Sequence, residues 1–260
     1  MRLLIKLGGT LLDTPASLEA LAAQIAALAR EGHPVVAVHG GGKQMTRFLA
    51  ERGVESRFVN GLRVTTPEVL DAVLKVFAGT VNKTLTGALI RAGARAVGVC
   101  GLDGLLAESE ALSPELGAVG RVVRTHPELL ECLTGGGFLP VVACVGGGAD
   151  GGVFNVNADQ MAVACAAGFR AERLLFLTDV PGVMDAARQV LPQLTPAGCS
   201  RLIAGGVAAG GMEAKLNAAC AALEGGVGQV LIAPGAEPDV IVRLLAGERI
   251  GTAVVPGEAS

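Results

Sequence analysis

The sequence predicts an α/β protein whose mainly parallel sheet is covered by helices on both faces. Two observations carry that expectation. Several segments are short, continuously apolar runs, among them RLLIKL, PVVAVH, RAVGVC, LPVVACV and VGQVLIA, and a strand that is apolar at every position is buried on both faces. Between them lie stretches with apolar residues three and four apart, the period of an amphipathic helix. Strands of that kind alternating with helices define the class.

The elements follow in order. Residues 2–7 form the first expected strand, which stops at Gly8-Gly9. Residues 17–31 put Leu18, Leu21, Ala22, Ile25, Leu28 and Ala29 on one helix face, with Ser17 as cap. A second buried strand over 34–39 stops at Gly40-Gly41-Gly42, and 43–52 reads as helix. Asn60-Gly61 between β-prone flanks predicts a hairpin. Helices are expected over 67–78 and 80–92, then a strand over 95–100. Residues 103–125 read as a less apolar hairpin near the surface. A helix around 127–134 leads to a strand over 139–145, which the glycines at 146–148 follow. Next come a helix over 157–168, a strand over 173–180 and helices over 195–204 and 210–224. A strand over 227–233, a helix over 237–246 and a strand over 252–255 complete the chain. The pattern restarts near residue 170, so two lobes are expected, 1–170 and 171–260, sharing one continuous sheet. Ligands of such sheets collect where the strands end at their carboxyl edges.

Composition narrows the function. The 260 residues carry 21 basic and 24 acidic side chains, a net charge of −3, which offers a polyanion no general attraction. Seven Phe with no Tyr or Trp leave few platforms for stacking bases. Nucleic acid is therefore not an expected partner. No apolar run reaches the roughly 18 residues of a membrane span, and MRLLIKLGG is too short and too soon charged for a signal peptide. A cytoplasmic protein with no membrane partner is expected. The six cysteines form no CxxC pair and read as small buried hydrophobes in a reducing compartment. The three scattered His give a zinc site little to build from, so no dedicated metal site is expected.

Glycine makes up 38 of the 260 residues, so Gly-Gly-Gly triplets alone are weak signals. Their placement says more. Gly8-Gly9, Gly40–Gly42 and Gly146–Gly148 each follow a buried run, where a ligand can approach the backbone and meet its N–H groups. Sharp strand-to-helix turns would explain the same glycines. Neither GxxxxGK[ST] nor a dinucleotide fingerprint on the first strand is present.

Four charged residues stand out. Lys6 lies inside the first apolar strand, where an unpaired cation costs several kcal/mol. Lys215 falls on the apolar face of its helix beside Met212, Ala218, Ala219 and Ala222. Asp159 opens a helix next to Asn155 and Asn157, which share one side of an extended segment. Arg63 sits on the hairpin and suits a carboxylate as a bidentate donor. Snorkelling lysines, a capping acid and a surface arginine are the plain alternatives. Together the parts fit phosphoryl transfer, which needs positioning and charge neutralisation more than covalent chemistry.

The motifs KLGG at 6–9, HGGG at 39–42, NGLRVT at 60–65, VNKTL at 81–85, NVNADQ at 155–160, TDVPGV at 178–183 and GGMEAK at 210–215 resemble the amino acid kinase superfamily, specifically acetylglutamate kinase. The resemblance runs nearly the length of the chain and implies a three-layer αβα sandwich around a mainly parallel sheet. It implies that Lys6 and Lys215 stabilise the transferring phosphoryl group, with Asp159 holding both. It implies phosphate contacts at Gly8 and Gly9. Gly41, Gly42, Arg63, Asn155 and Asn157 would bind N-acetyl-L-glutamate. Asp179, Val180, Gly182, Val183 and Met184, with Val207, Ala208 and Ala209, would border ATP. Magnesium would enter on the ATP phosphates and water. The loop AARQ after Asp185 departs from the family pattern. The implied reaction makes the γ-acyl phosphate and ADP, a step of arginine synthesis. A homodimer paired through N-terminal-lobe helices is also implied. Arginine-regulated relatives carry a helix before the first strand; here that strand starts at residue 2, so arginine insensitivity is expected. Two alternatives compete: a kinase acting on carrier-linked aminoadipate, disfavoured by the lack of a Lys/Arg run, and a non-catalytic amino-acid-sensing domain, disfavoured by Lys6, Asp159 and Lys215 occurring together.

Overall fold

A computed structural model describes residues 1–257; the last three residues of the expected C-terminal lobe lie outside the described residues. Strand β1 (Leu3–Leu7) passes through a 3₁₀ turn (Gly9–Leu12) into α1 (Pro15–Arg30). The cap of α1 is Thr14, whose side chain accepts from the Ser17 N–H, and not Ser17 itself. Pro15 at the first helical position suits that earlier start, because its fixed φ is already helical and the missing N–H has no partner there anyway. β2 (Val35–His39) and α2 (Gly42–Ala50) follow. The expected hairpin forms as β3 (Phe58–Val59) and β4 (Leu62–Arg63), with Asn60 and Gly61 both at positive φ as its turn requires.

The two helices expected over 67–92 are one rod. α3 (Pro67–Val73) runs into a π-helical segment (Leu74–Val81) and on into α4 (Asn82–Arg91). Gly79 does not break it, since an interior glycine costs only about 1 kcal/mol. The remaining elements are β5 (Ala96–Gly101), β6 (Ala107–Ala111), β7 (Val119–Thr125), α5 (Glu128–Gly135), β8 (Leu139–Gly147), β9 (Val153–Val156) and α6 (Ala158–Gly168). After them come β10 (Arg173–Thr178), β11 (Gln193–Leu194), α7 (Pro196–Ala204), α8 (Gly211–Glu224), β12 (Gln229–Pro234), α9 (Val240–Leu245) and β13 (Thr252–Val254).

Among the described residues, eleven strands form one sheet, in the order β11-β13-β12-β10-β1-β2-β8-β6-β7-β9, with β5 also on β8. The pairings that build its centre, β12–β10, β10–β1, β1–β2, β2–β8 and β8–β5, are all parallel. The 103–125 hairpin is not a surface excursion: Glu108 of β6 pairs with Gly147 and Val119 of β7 with Asn155. The glycines at 146 and 147 lie inside β8 and not after it. A Cβ at Gly146 would fall 2.2 Å from Ser109 Oγ, so crossing neighbours claim the space that a side chain would fill. Helices cover both faces. Leu3, Ile5, Leu7, Leu175 and Leu231 pack with α1, α4 and α9; Leu4, Val36, Val38, Phe176 and Ile232 pack with the π-segment, α6 and α8. Cys100, Cys144, Cys165 and Cys199 are buried as expected and Cys220 is half-buried, but Cys132 is exposed. It stands on α5, a helix that buries only Leu130. No helix of the described residues is long and apolar enough to cross a membrane.

Candidate active site

Register puts the site at one edge. Lys6 of β1 lies beside Val38 of β2 and Phe176 of β10, and Leu7 beside His39 and Leu177. The carboxyl ends of three adjacent parallel strands are therefore level, and the turns that leave them converge. Alternation along β1 sends Lys6 to the same face as Leu4, the face covered by α6 and α8. Those helices carry Asp159 at the second position of α6 and Lys215 at the fifth of α8.

The three charges meet. Lys6 Nζ is 2.6 Å from Asp159 Oδ1. Lys215 Nζ donates to Asp159 Oδ2 at 2.9 Å and stands 5.8 Å from the centroid of the Phe176 ring. The side chains of Lys6, Asp159 and Lys215 are 10, 12 and 15% exposed. Burial opposes ionisation of Asp159, yet the fields of Lys6 and then Lys215 outweigh it and hold its pKa below the ordinary value. Two cations on one carboxylate leave a net charge of +1, which a bound anion can take up. Neither lysine snorkels.

Arg63 is buried and has no carboxylate within ion-pair reach among the described residues. Neutral oxygens hold it instead: Ser56 Oγ on Nη1, and Thr46 Oγ1 at 2.8 Å and the Gly42 carbonyl at 3.3 Å on Nη2. Its guanidinium lies 4.6 Å from the centroid of the exposed Phe58 ring. Burial pulls its pKa down from the ordinary value. A fixed cation without an anion invites a ligand carboxylate.

Lys6, Gly8, Gly42, Arg63, Asp179 and Lys215 all line one cleft of about 670 Å³. Asp159 lies behind the two lysines. Asn155 Nδ2 donates to Thr65 Oγ1 at 2.9 Å. Asn157 is the cap of α6: its Oδ1 accepts from the N–H groups of Asp159 and Gln160, so the two asparagines do separate jobs. Phe77 and Val81 occupy the space where a Cβ on Gly41 would lie, and Gly9 opens the 3₁₀ turn. Val183 is fully buried and its N–H donates to Thr252 Oγ1. Neither it nor Val180, Gly182, Met184, Val207, Ala208 or Ala209 lines the cleft. Sequence reasoning missed Thr10, Lys43, Thr46, Arg47, Phe58 and Thr178, which do. Thr46 was within reach, because it stands four residues after Gly42 and so shares its helix face. A smaller cavity of about 310 Å³ under α9, lined by Arg173 and Arg249 among others, touches none of these residues.

Fold and site together define a phosphotransferase of the α/β class, with a cationic pocket at the carboxyl edge of a parallel sheet. The amino acid kinase family model matches residues 1–234. An acetylglutamate kinase of Solibacter usitatus is 62% identical over 255 residues, covering 98% of this chain and 99% of that one. The acetylglutamate kinase of Koribacter versatilis is 42% identical over 94% of each chain. Among solved structures, an N-acetylglutamate synthase from Neisseria gonorrhoeae, in complex with coenzyme A and N-acetyl-glutamate, matches with a TM-score of 0.89 at 26% identity. All of this chain is covered, and it spans 60% of that protein's length. The chain belongs to the amino acid kinase family and, within it, to the acetylglutamate kinases.

Proposed function

We propose that the protein transfers the γ-phosphoryl group of ATP to the γ-carboxylate of N-acetyl-L-glutamate, giving the acyl phosphate and ADP as in arginine synthesis. The observation that carries this reading is the Lys6–Asp159–Lys215 cluster, net positive and facing a cleft that also holds the unpaired Arg63. The names of the relatives at 62 and 42% identity agree with it. The acceptor carboxylate is ionised at neutral pH, so no general base has to act first. One of its oxygens bonds to phosphorus while the bridging bond to the β-phosphate breaks, and that electron pair leaves with ADP. Charge spreads over the equatorial oxygens in between, and Lys6 and Lys215 stabilise it from opposite sides. Asp159 holds both lysines in place without touching substrate.

Arg63 takes the α-carboxylate, with Gly41, Gly42 and Asn155 around the acceptor; Asn157 contributes by capping α6. Gly8 and Gly9 meet phosphates. The nucleotide lies against the 171–260 half, near Asp179 to Met184 and Val207 to Ala209, and the acceptor lies against the 1–170 half. The residues fit a magnesium–ATP complex: Lys6 and Lys215 line the cleft, and Asp179, whose Oδ1 accepts from Thr178 Oγ1 at 3.2 Å, offers a carboxylate there. Bound magnesium supplies charge neutralisation on the phosphates. A homodimer is the assembly we expect, using exposed apolar residues such as Leu74 and Ile90 of the α3–α4 rod; a light-scattering mass of one subunit would oppose it. Trapping with hydroxylamine tests the reaction. ATP, magnesium and N-acetyl-L-glutamate together should yield the hydroxamate, and no hydroxamate above the enzyme-free control would refute the proposal.

A further inference from the structure

Under the Gly40–Gly42 turn lies a buried polar pair that the reaction above does not use. His39 ends β2 and is fully buried; Asn82 opens α4 and is 1% exposed. Asn82 Nδ2 lies 2.8 Å from the Val141 carbonyl and 3.3 Å from that of Val99. Two carbonyls can only be met by the amide's N–H₂, which fixes the orientation of Asn82. The same nitrogen is 3.1 Å from His39 Nε2; its two hydrogens are shared among three neighbours, and a donor nitrogen there leaves no place for a proton on Nε2. The ring proton therefore sits on Nδ1, which donates to the Gly40 carbonyl at 2.7 Å. A doubly protonated ring would set two donors against each other, and burial agrees, pulling the His39 pKa down to about 4.

The consequence falls on the turn. All peptide bonds among the described residues are trans, and in a trans peptide the carbonyl and the following N–H point in opposite directions. A Gly40 carbonyl held on the imidazole turns the Gly41 N–H away from the ring. The N–H groups of Gly41 and Gly42 have no protein acceptor among the described residues, and Gly42 lines the cleft. Phe77 and Val81 of the π-segment close the other side: a Cβ on Gly41 would fall 2.9 Å from the Phe77 ring.

We propose that His39, locked by Asn82 as the Nδ1–H tautomer, is a positioning residue that aims the free amide of Gly41 toward the acceptor. This rests on the acetylglutamate kinase reading of the cleft. His39 touches no substrate in this account and acts through one peptide plane.

Three variants and one spectrum test it. His39→Leu removes the donor, His39→Gln moves it off the Nδ1 position, and His39→Asn restores an N–H₂ close to where Nδ1 stood. In enzymes that melt like the parent, Leu and Gln should lower kcat/KM for N-acetyl-L-glutamate about tenfold or more, as loss of an aimed amide donor does. KM for ATP should stay within about twofold, and Asn should recover most of the loss. A purely structural histidine would lower the melting temperature without splitting the two substrates and without rescue by Asn, and that result overturns the proposal. If the Leu and Gln variants do not fold, ¹⁵N spectra of the unmodified enzyme decide. Nδ1 protonated and Nε2 unprotonated from about pH 8 down to about pH 5.5 supports the lock, given a pKa of about 4; a proton on Nε2 refutes it. An unmodified enzyme that makes no acyl phosphate would instead fail the reading of the cleft, independently of His39.

Discussion

Lys215 carries the sharpest consequence of the charge arrangement. Its amine acts on charge that develops in the transition state, so Lys215→Ala should cut kcat by about 10²–10³-fold with little change in either KM. Steady-state ADP release from the folded variant checks this. Arg63 differs, because a carboxylate clamp holds ground and transition states alike. Arg63→Ala should chiefly raise KM for N-acetyl-L-glutamate and leave KM for ATP nearly unchanged, in the same assay. Asp159 links the site to stability. Its pKa is lower folded than unfolded, so its contribution is complete above the unfolded value of 3.8 and is lost as pH falls through the lower folded value. Asp159→Asn leaves two buried lysines facing each other and should cost about 3–5 kcal/mol near pH 7. Urea melts of variant and parent should show that gap constant above about pH 5 and closing below pH 4. Much of this was legible in the sequence, since charges inside apolar patterns at 6 and 215 announce themselves. The division of work between Asn155 and Asn157 was not, because spacing says that two side chains share a side and not which one a helix end will claim.

At the scale of elements, the rod over 67–91 is pinned to the sheet by Asn82. Its side chain crosses over Gly98 of β5, where an added Cβ would lie 2.0 Å from Asn82 Oδ1. Asn82 cannot give way without losing the Val141 and Val99 carbonyls. Gly98→Ala should therefore destabilise the fold by about 3 kcal/mol, the upper end for overpacking, and calorimetry of the folded variant measures it. Strands read as continuous apolar runs were found within a residue or two, as were most helices, since each run is long relative to its ends. β9 and β11 were missed as strands. They are four and two residues long, too short for a period to show. The 103–125 hairpin was read as peripheral because it is polar at Glu108, Glu110 and Arg121; only its pairing with β8 and β9 brings it into the sheet. The π-segment leaves no signature in spacing either.

Across the whole molecule, one arrangement connects fold to chemistry. β1, β2 and β10 end level, so a lysine from a strand, an aspartate from α6 and a lysine from α8 meet although 209 positions separate Lys6 from Lys215. The motifs and the resemblance already named Asp159 as the holder of both lysines; the packed sheet supplies the distances, 2.6 and 2.9 Å, at which one carboxylate reaches both. A fold of this kind does not choose its own acceptor, so the identity of the phosphorylated acceptor decides the function. The direct measurement is ADP release from magnesium–ATP with N-acetyl-L-glutamate, L-glutamate and L-aminoadipate supplied separately to the purified protein. Turnover should be saturable with N-acetyl-L-glutamate, and kcat/KM at least about a hundredfold lower with the other two, as expected when buried polar groups are left unpaired. Equal turnover with free aminoadipate, or none with N-acetyl-L-glutamate, would contradict the proposed function.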